Sequence, residues 1–181
     1  MIKIALTSVM VEDQAKDRAM GGRGATSPST GPGGEVPSIT VVRRFGAPVA
    51  EVFEAWIDAT LLRQWLAPGP CRVVEATADA RSGGTYRIVV IDPVGSRHVT
   101  TGEYREVVPG RRLVQTWVYE GPNAPDRYPT LLTVDFREID PESTEITLHQ
   151  EQLLTDKDRE GTREGWRLCF EKLDTVLRQP A

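Results

Sequence analysis

Few side chains in this sequence could do acid–base, metal or nucleophilic chemistry. Its 181 residues include two histidines, His98 and His149, and two cysteines, Cys71 and Cys169. A zinc site needs three or four such ligands converging, and no H-x-H, H-x-x-x-H or C-x-x-C spacing occurs, so no metal is expected. There is no G-x-S-x-G nucleophile elbow and no P-loop. Gly83-Gly84 reads as turn chemistry rather than a phosphate cradle. Glu103 and Tyr104 are neighbours on a strand pattern, so they point to opposite faces and cannot both join His149 in one cavity. No catalytic residue and no cofactor is assigned. Thr147, His149 and Glu151 share one strand face and Ile146 and Leu148 the other, and alternation leaves open which is inward. Facing in, His149 could orient a polar ligand head or act as a general base; facing out, it is a surface or mouth-lining residue.

Aromatic residues are the other candidates. Trp65, Tyr86, Tyr104, Trp117, Phe136, Trp166 and Phe170 recur on apolar faces. With His149 they are the candidate walls of a ligand cavity, the alternative being plain core packing.

Composition narrows the partners. Hydrophobic residues are 39% of the chain, charged residues 27%, and the net charge is −4. That balance offers no basic surface for nucleic acid. No apolar run approaches the ~18 residues of a membrane-spanning helix. The two cysteines read as reduced thiols of a cytoplasmic protein, and the opening residues do not form a secretion signal.

The elements that would position these residues follow in order. Residues 1–17 hold one strand-like run, Ile2 to Val11. Residues 18–37, rich in Gly, Pro, Ser and Thr, read as a flexible linker. A main domain spans 38–179. It opens with a strand at Ile39–Phe45. Two short helices follow, the first begun at Pro48 and the second capped by Asp58, and Pro68-Gly69-Pro70 stops the second. Six strands are expected next: 72–78, 85–91, 97–108, 111–120, 130–139 and 144–152, joined by turns at Gly83-Gly84, Asp92–Gly95, Pro109-Gly110 and Asp140–Ser143 and by a Pro-rich loop at 121–129. The chain closes with a helix over 156–178, whose Trp166, Cys169, Phe170, Leu173, Val176 and Leu177 form one apolar stripe. The sheet is the only partner large enough to cover that stripe. Leu168 falls outside it, as a lone exposed residue or part of a dimer contact.

This order and its motifs resemble the heat-shock-ATPase-activator-like branch of the SRPBCC (START-like, helix-grip) superfamily. Arg44-Phe45 with Ala47-Pro48, Val52–Trp56, Leu62–Trp65 with Pro68, Arg81–Arg87, Gly102–Val107 with Pro109, Thr116-Trp117, Leu148-His149 and Gly165-Trp166 carry the resemblance over about 140 residues. It departs from the family where a tryptophan pair is usual and Trp65-Leu66 stands. The resemblance implies an α+β helix-grip fold, a curved antiparallel sheet wrapped around a long C-terminal helix, with a cavity between them. Separately, residues 1–16 are weakly similar to the start of a glyoxalase-type (vicinal oxygen chelate) domain, from which no function follows.

The functional expectation is binding of a small hydrophobic or aromatic molecule in that cavity. A protein-interaction module, co-chaperone-like or regulatory, and a cyclase or hydratase using the same cavity are the alternatives. A homodimer or protein partner is left open.

Overall fold

The computed structural model describes residues 37–122, 129–153 and 155–179. The assignments for residues 1–36, including the strand-like run and most of the linker, and for the centre of the 121–129 loop lie outside the described residues.

The chain forms β1 (Ile39–Phe45), α1 (Val49–Ile57), α2 (Ala59–Trp65), β2 (Arg72–Ala78), β3 (Thr85–Ile91), β4 (Arg97–Val108), β5 (Arg112–Glu120), β6 (Pro129–Asp140), β7 (Ser143–Glu151) and α3 (Asp156–Leu177). The boundaries differ from the sequence expectation by one or two residues. Pro48 stands just before α1, with its carbonyl accepting from the Val52 N–H at 3.1 Å. Asp58 ends α1 and caps α2, accepting from the N–H groups of Thr60 and Leu61 at 2.8 and 2.9 Å. One short polar side chain thus starts the second helix at a fixed angle to the first.

Among the described residues seven strands join one antiparallel sheet in the order β1-β7-β6-β5-β4-β3-β2. Register shifts at Val73/Glu75, Tyr104/Glu106 and Glu138/Asp140 mark bulges. A bulge adds local twist, and three of them help curve the sheet into a shell. Alternation is clean on β7, where Ile146, Leu148 and Gln150 are buried and their neighbours are not.

The apolar stripe of α3 closes the shell. Trp166, Cys169, Phe170 and Leu173 are buried. Thr155 and Asp158 form a reciprocal capping box at its start, so the helix begins at Asp156 despite Gly161 and Gly165. Such a cap is worth about 1 kcal/mol. Leu168 is half-buried, and its Cδ1 lies 3.7 Å from where a Cβ on Gly69 would stand, so it rests on the turn after α2. Among the described residues no helix is long and apolar enough to cross a membrane.

Candidate functional site

The inner face of the sheet and the facing side of α3 carry the candidate site. Tyr86, Tyr104, Trp117, Phe136, Trp166 and Phe170 are all buried there, and Trp65, at the end of α2, is buried beside Trp56 of α1. They meet one another. Trp166 stacks on Trp56 with ring centroids 5.7 Å apart, and lies 5.3 Å from Trp117 and 5.8 Å from Phe170. Trp56 sits 4.9 Å from Trp65 and 6.3 Å from Phe136. Tyr86 bridges Tyr104 at 5.4 Å and Trp117 at 6.2 Å. All four tryptophans of the chain belong to this set. Trp56, on α1, is the member that was not among the wall candidates; its i+3 spacing from Phe53 was the available signal.

Tyr86 fits because Gly102 lies opposite. A Cβ at Gly102 would overlap the Tyr86 ring and the Thr116 carbonyl, the group to which the Tyr86 hydroxyl donates at 2.6 Å. Burial pushes the Tyr86 phenol well above its ordinary pKa, so it remains a neutral donor.

His149 lies on the other face. Its Nδ1 is 2.9 Å from the Thr40 hydroxyl and its Nε2 is 3.5 Å from Glu151, with the side chain 37% exposed. Strand parity excludes it from the inner face, because Leu148 and Gln150 on either side point in. His149 therefore does not join the aromatic walls.

Gln150 takes the interior position instead. It is fully buried; its Oε1 accepts from Trp166 Nε1 at 2.9 Å, and its Nε2 donates to Thr130 Oγ1 at 2.8 Å. Thr130 in turn donates to the Trp117 carbonyl at 3.1 Å. This chain satisfies one of the indoles. Two others, Trp56 Nε1 and Trp117 Nε1, are buried with no hydrogen-bond partner among the described residues, as is Thr162 Oγ1 one turn before Trp166 on α3. All three orphaned atoms belong to residues around Trp166.

At one end the inner face changes character. His98 is opposite Val90, and Thr100 is opposite both Ile88 and Tyr119. Directly paired residues share a face, so His98, Thr100 and Tyr119 point inward with Ile88 and Val90. His98 Nδ1 is 2.6 Å from the Tyr119 hydroxyl, and His98 Nε2 is 3.4 Å from Asp92 Oδ2. The imidazole and phenol rings stack at 22°. Asp92 is held by the turn it starts, accepting from the N–H groups of Ser96 and Val94 at 2.7 and 3.1 Å. Partial desolvation works to raise its pKa, but these hydrogen bonds and that from His98 hold it below the usual carboxylate range. Burial, with the nearby Cys71 and Asp92 adding to it, pushes the Tyr119 phenol up to about 12. Gly121 lies beside it, and a Cβ there would overlap the Tyr119 hydroxyl unless that side chain shifted.

Cys71, Cys169 and Lys172 border this end. The thiols are free and buried; desolvation raises Cys71 to about 11 and Cys169 to about 12. Lys172 Nζ donates to the Cys71 carbonyl at 2.7 Å. Among the described residues no cluster of three His, Cys, Asp or Glu has a metal-binding arrangement.

Between β1 and α3 a groove of about 340 Å³ opens on the surface, bordered by Val41, Arg43, Arg163 and Arg167. Its floor is Phe170, which also touches Phe45, Trp56 and Trp166. Phe170 thus borders both the groove and the aromatic interior.

The chain is similar to several solved structures over most of their length. Protein CV1439 from Chromobacterium violaceum shares 25% identity, with 79% of this chain and 98% of that chain covered and a TM-score of 0.68. An uncharacterized protein from Rhizobium leguminosarum shares 26% identity, with 81% and 97% covered and a TM-score of 0.67. The AHSA1 protein from Silicibacter pomeroyi, at 21% identity, 78% and 97% covered and a TM-score of 0.69, shows the same fold. No curated protein matches. The family described as "Activator of Hsp90 ATPase homolog 1-like protein" matches residues 46–178, which takes in α1 through the end of α3 and every residue of the inner face except those of β1. With its helix-grip architecture and that match, the chain belongs to the Activator of Hsp90 ATPase homolog 1-like family within the SRPBCC superfamily.

Proposed function

We propose that the protein binds a small, predominantly aromatic molecule between the inner face of the sheet and α3. Trp65, Tyr86, Tyr104, Trp117, Phe136, Trp166 and Phe170 serve as walls, and Trp56 joins them. The observation that carries this reading is the group of three unpaired polar atoms, Trp56 Nε1, Trp117 Nε1 and Thr162 Oγ1. A buried polar atom without a partner costs about 1–3 kcal/mol, and native interiors rarely keep several together. An indole N–H only donates, so the matching ligand carries acceptor atoms on an aromatic body. Access runs through the groove beside β1, with Phe170 swinging aside as the gate.

The protein-interaction alternative draws less support. Among the described residues the exposed large hydrophobics are Val42 on β1, Val74 on β2 and Val94 in the turn after β3. The first two occupy opposite edges of the sheet, so they make no continuous docking patch. The free buried thiols fit a reducing compartment, and we assign the protein to the cytoplasm on that ground.

Native mass spectrometry of freshly purified protein, followed by solvent extraction, tests the reading. A reproducible bound mass of a few hundred daltons is expected. Naphthalene-sized probes should change the tryptophan emission saturably, because every tryptophan lies in the cluster. A clean mass together with no saturable tryptophan response would refute it.

A further inference from the structure

The inner face ends in a set of groups that apolar binding does not use. Asp92, His98 and Tyr119 come from a turn, the start of β4 and the end of β5, and they form a continuous hydrogen-bonded row. Tyr119 follows Trp117 on the same strand face, about 7 Å further along. The row therefore borders the aromatic walls.

The direction of its hydrogen bonds follows from the partners. Ionised Asp92 only accepts, which assigns the proton of neutral His98 to Nε2. His98 Nδ1 is then an acceptor, and the Tyr119 O–H donates to it across 2.6 Å. Among the described residues no group donates to the Tyr119 oxygen, whose lone pairs are the acceptor offered to a ligand donor. The surrounding charges favour the same direction. A tyrosinate at position 119 is opposed by burial and by the Asp92 carboxylate. Among the described residues, the other titratable groups bordering the row are Cys71, Cys169 and Lys172. The thiols are neutral at pH 7, and the Lys172 ammonium is engaged by the Cys71 carbonyl.

We propose that Asp92, His98 and Tyr119 form a proton-accepting site for the hydroxyl of a phenolic ligand, with Tyr119 passing the proton and His98 receiving it. The proposal rests on the inner-face binding reading and names the ligand class. The ligand O–H donates to Tyr119 Oη. When the proton moves, the O–H bond of the ligand breaks and a new O–H bond forms at Tyr119. The former Tyr119 proton passes to His98 Nδ1. The products are a phenolate, an unchanged tyrosine and an imidazolium paired with Asp92. No electrons are exchanged and no co-reactant is needed.

Three probes of one shape separate the contributions: 2-naphthol, 2-methoxynaphthalene, which cannot donate, and naphthalene. Excited 2-naphthol is a strong acid and emits as naphtholate when a hydrogen-bonded acceptor takes its proton. Bound to the full chain, 2-naphthol should bind about tenfold more tightly than 2-methoxynaphthalene, the size of one net hydrogen bond. Its emission should include the naphtholate band at neutral pH. Tyr119→Phe should bring the affinity ratio near one and abolish that band. His98→Gln, which can still hydrogen-bond Tyr119 but cannot take the proton, should keep part of the preference and lose the band. Equal binding of all three probes by the wild type, or a naphtholate band that survives both substitutions, overturns this proposal and leaves apolar binding standing. No saturable binding of any probe overturns both readings.

Discussion

Around Trp166 the inner face is ring and hydrocarbon, with polar atoms either joined through Gln150 or left unpaired. Past Trp117 on β5 it becomes a row of titratable groups, Asp92, His98 and Tyr119, each with a partner. The first region comes from three parts of the fold, the two short helices α1 and α2, the sheet and α3. The second comes almost wholly from the ends of β3, β4 and β5 and the turn between β3 and β4. Helix packing therefore holds the aromatic region, and strand register holds the polar one. The two should respond to different insults, the first to loss of volume and the second to loss of single hydrogen bonds.

That contrast is sharpest at Trp166. Trp166→Ala removes ring contacts with Trp56, Trp117 and Phe170 and leaves Gln150 Oε1 unpaired. A destabilisation of about 4 kcal/mol is expected in urea unfolding, the scale of a large aromatic truncated in a core. A loss below 1 kcal/mol would mean that α3 is loosely held and that the walls already stand apart. Gln150→Leu keeps the volume but strips partners from Trp166 Nε1 and Thr130 Oγ1, and should cost about 2 kcal/mol. Tyr119→Phe, at the polar end, removes one half-buried hydrogen bond and should cost about 1 kcal/mol by the same measurement. If Tyr119→Phe proved more damaging than Gln150→Leu, the polar row rather than the buried Gln150 network would be the stronger support of this face.

Acid should act on the polar end and the outer surface before the aromatic centre. Asp92 is held below its ordinary pKa, and so is Glu145, mainly through hydrogen bonds from Arg137 and Arg44. A carboxyl lowered on folding contributes stability above its unfolded value of about 4, and that contribution is lost as pH falls through the folded value. Thermal unfolding between pH 7 and pH 3 should show the decline, and Asp92→Asn should flatten part of it. A pH profile unchanged in Asp92→Asn would place the acid sensitivity elsewhere. The smallest effect belongs to His149→Ala. This outward side chain should alter stability by no more than about 0.5 kcal/mol and leave probe binding unchanged. Weakened probe binding in that variant would place His149 in the site after all.

Much of this arrangement was legible in the residues. Pro48, Asp58 and Pro68-Gly69-Pro70 delimit the two short helices through rules acting within a few residues, and the Trp166–Leu173 stripe identifies the buried side of α3. Tyr86, Ile88 and Val90 share one strand face and are buried in the core, although their neighbour Val89 is apolar and buried too. The pairing of His98 with Tyr119 was not legible, and β4 shows why. Counting outward from the Pro109-Gly110 turn, with Val108 opposite Arg112, would set Thr101 against Tyr119 and turn His98 to the other face. The bulge between Tyr104 and Glu106 moves the register by one, so Thr100 stands there instead. One residue of slip exchanges the two faces of a strand.

The sequence by itself therefore determined the order of elements, their ends and the apolar side of each, because capping, turn geometry and periodicity act locally. Only the tertiary structure decided which side of β7 faces α3, that Gln150 rather than His149 enters the interior, and that Asp92, His98 and Tyr119 meet. Alternation fixes which residues share a face but not where that face points. That orientation comes from strand register, the bulges that shift it, and the helix that covers one side.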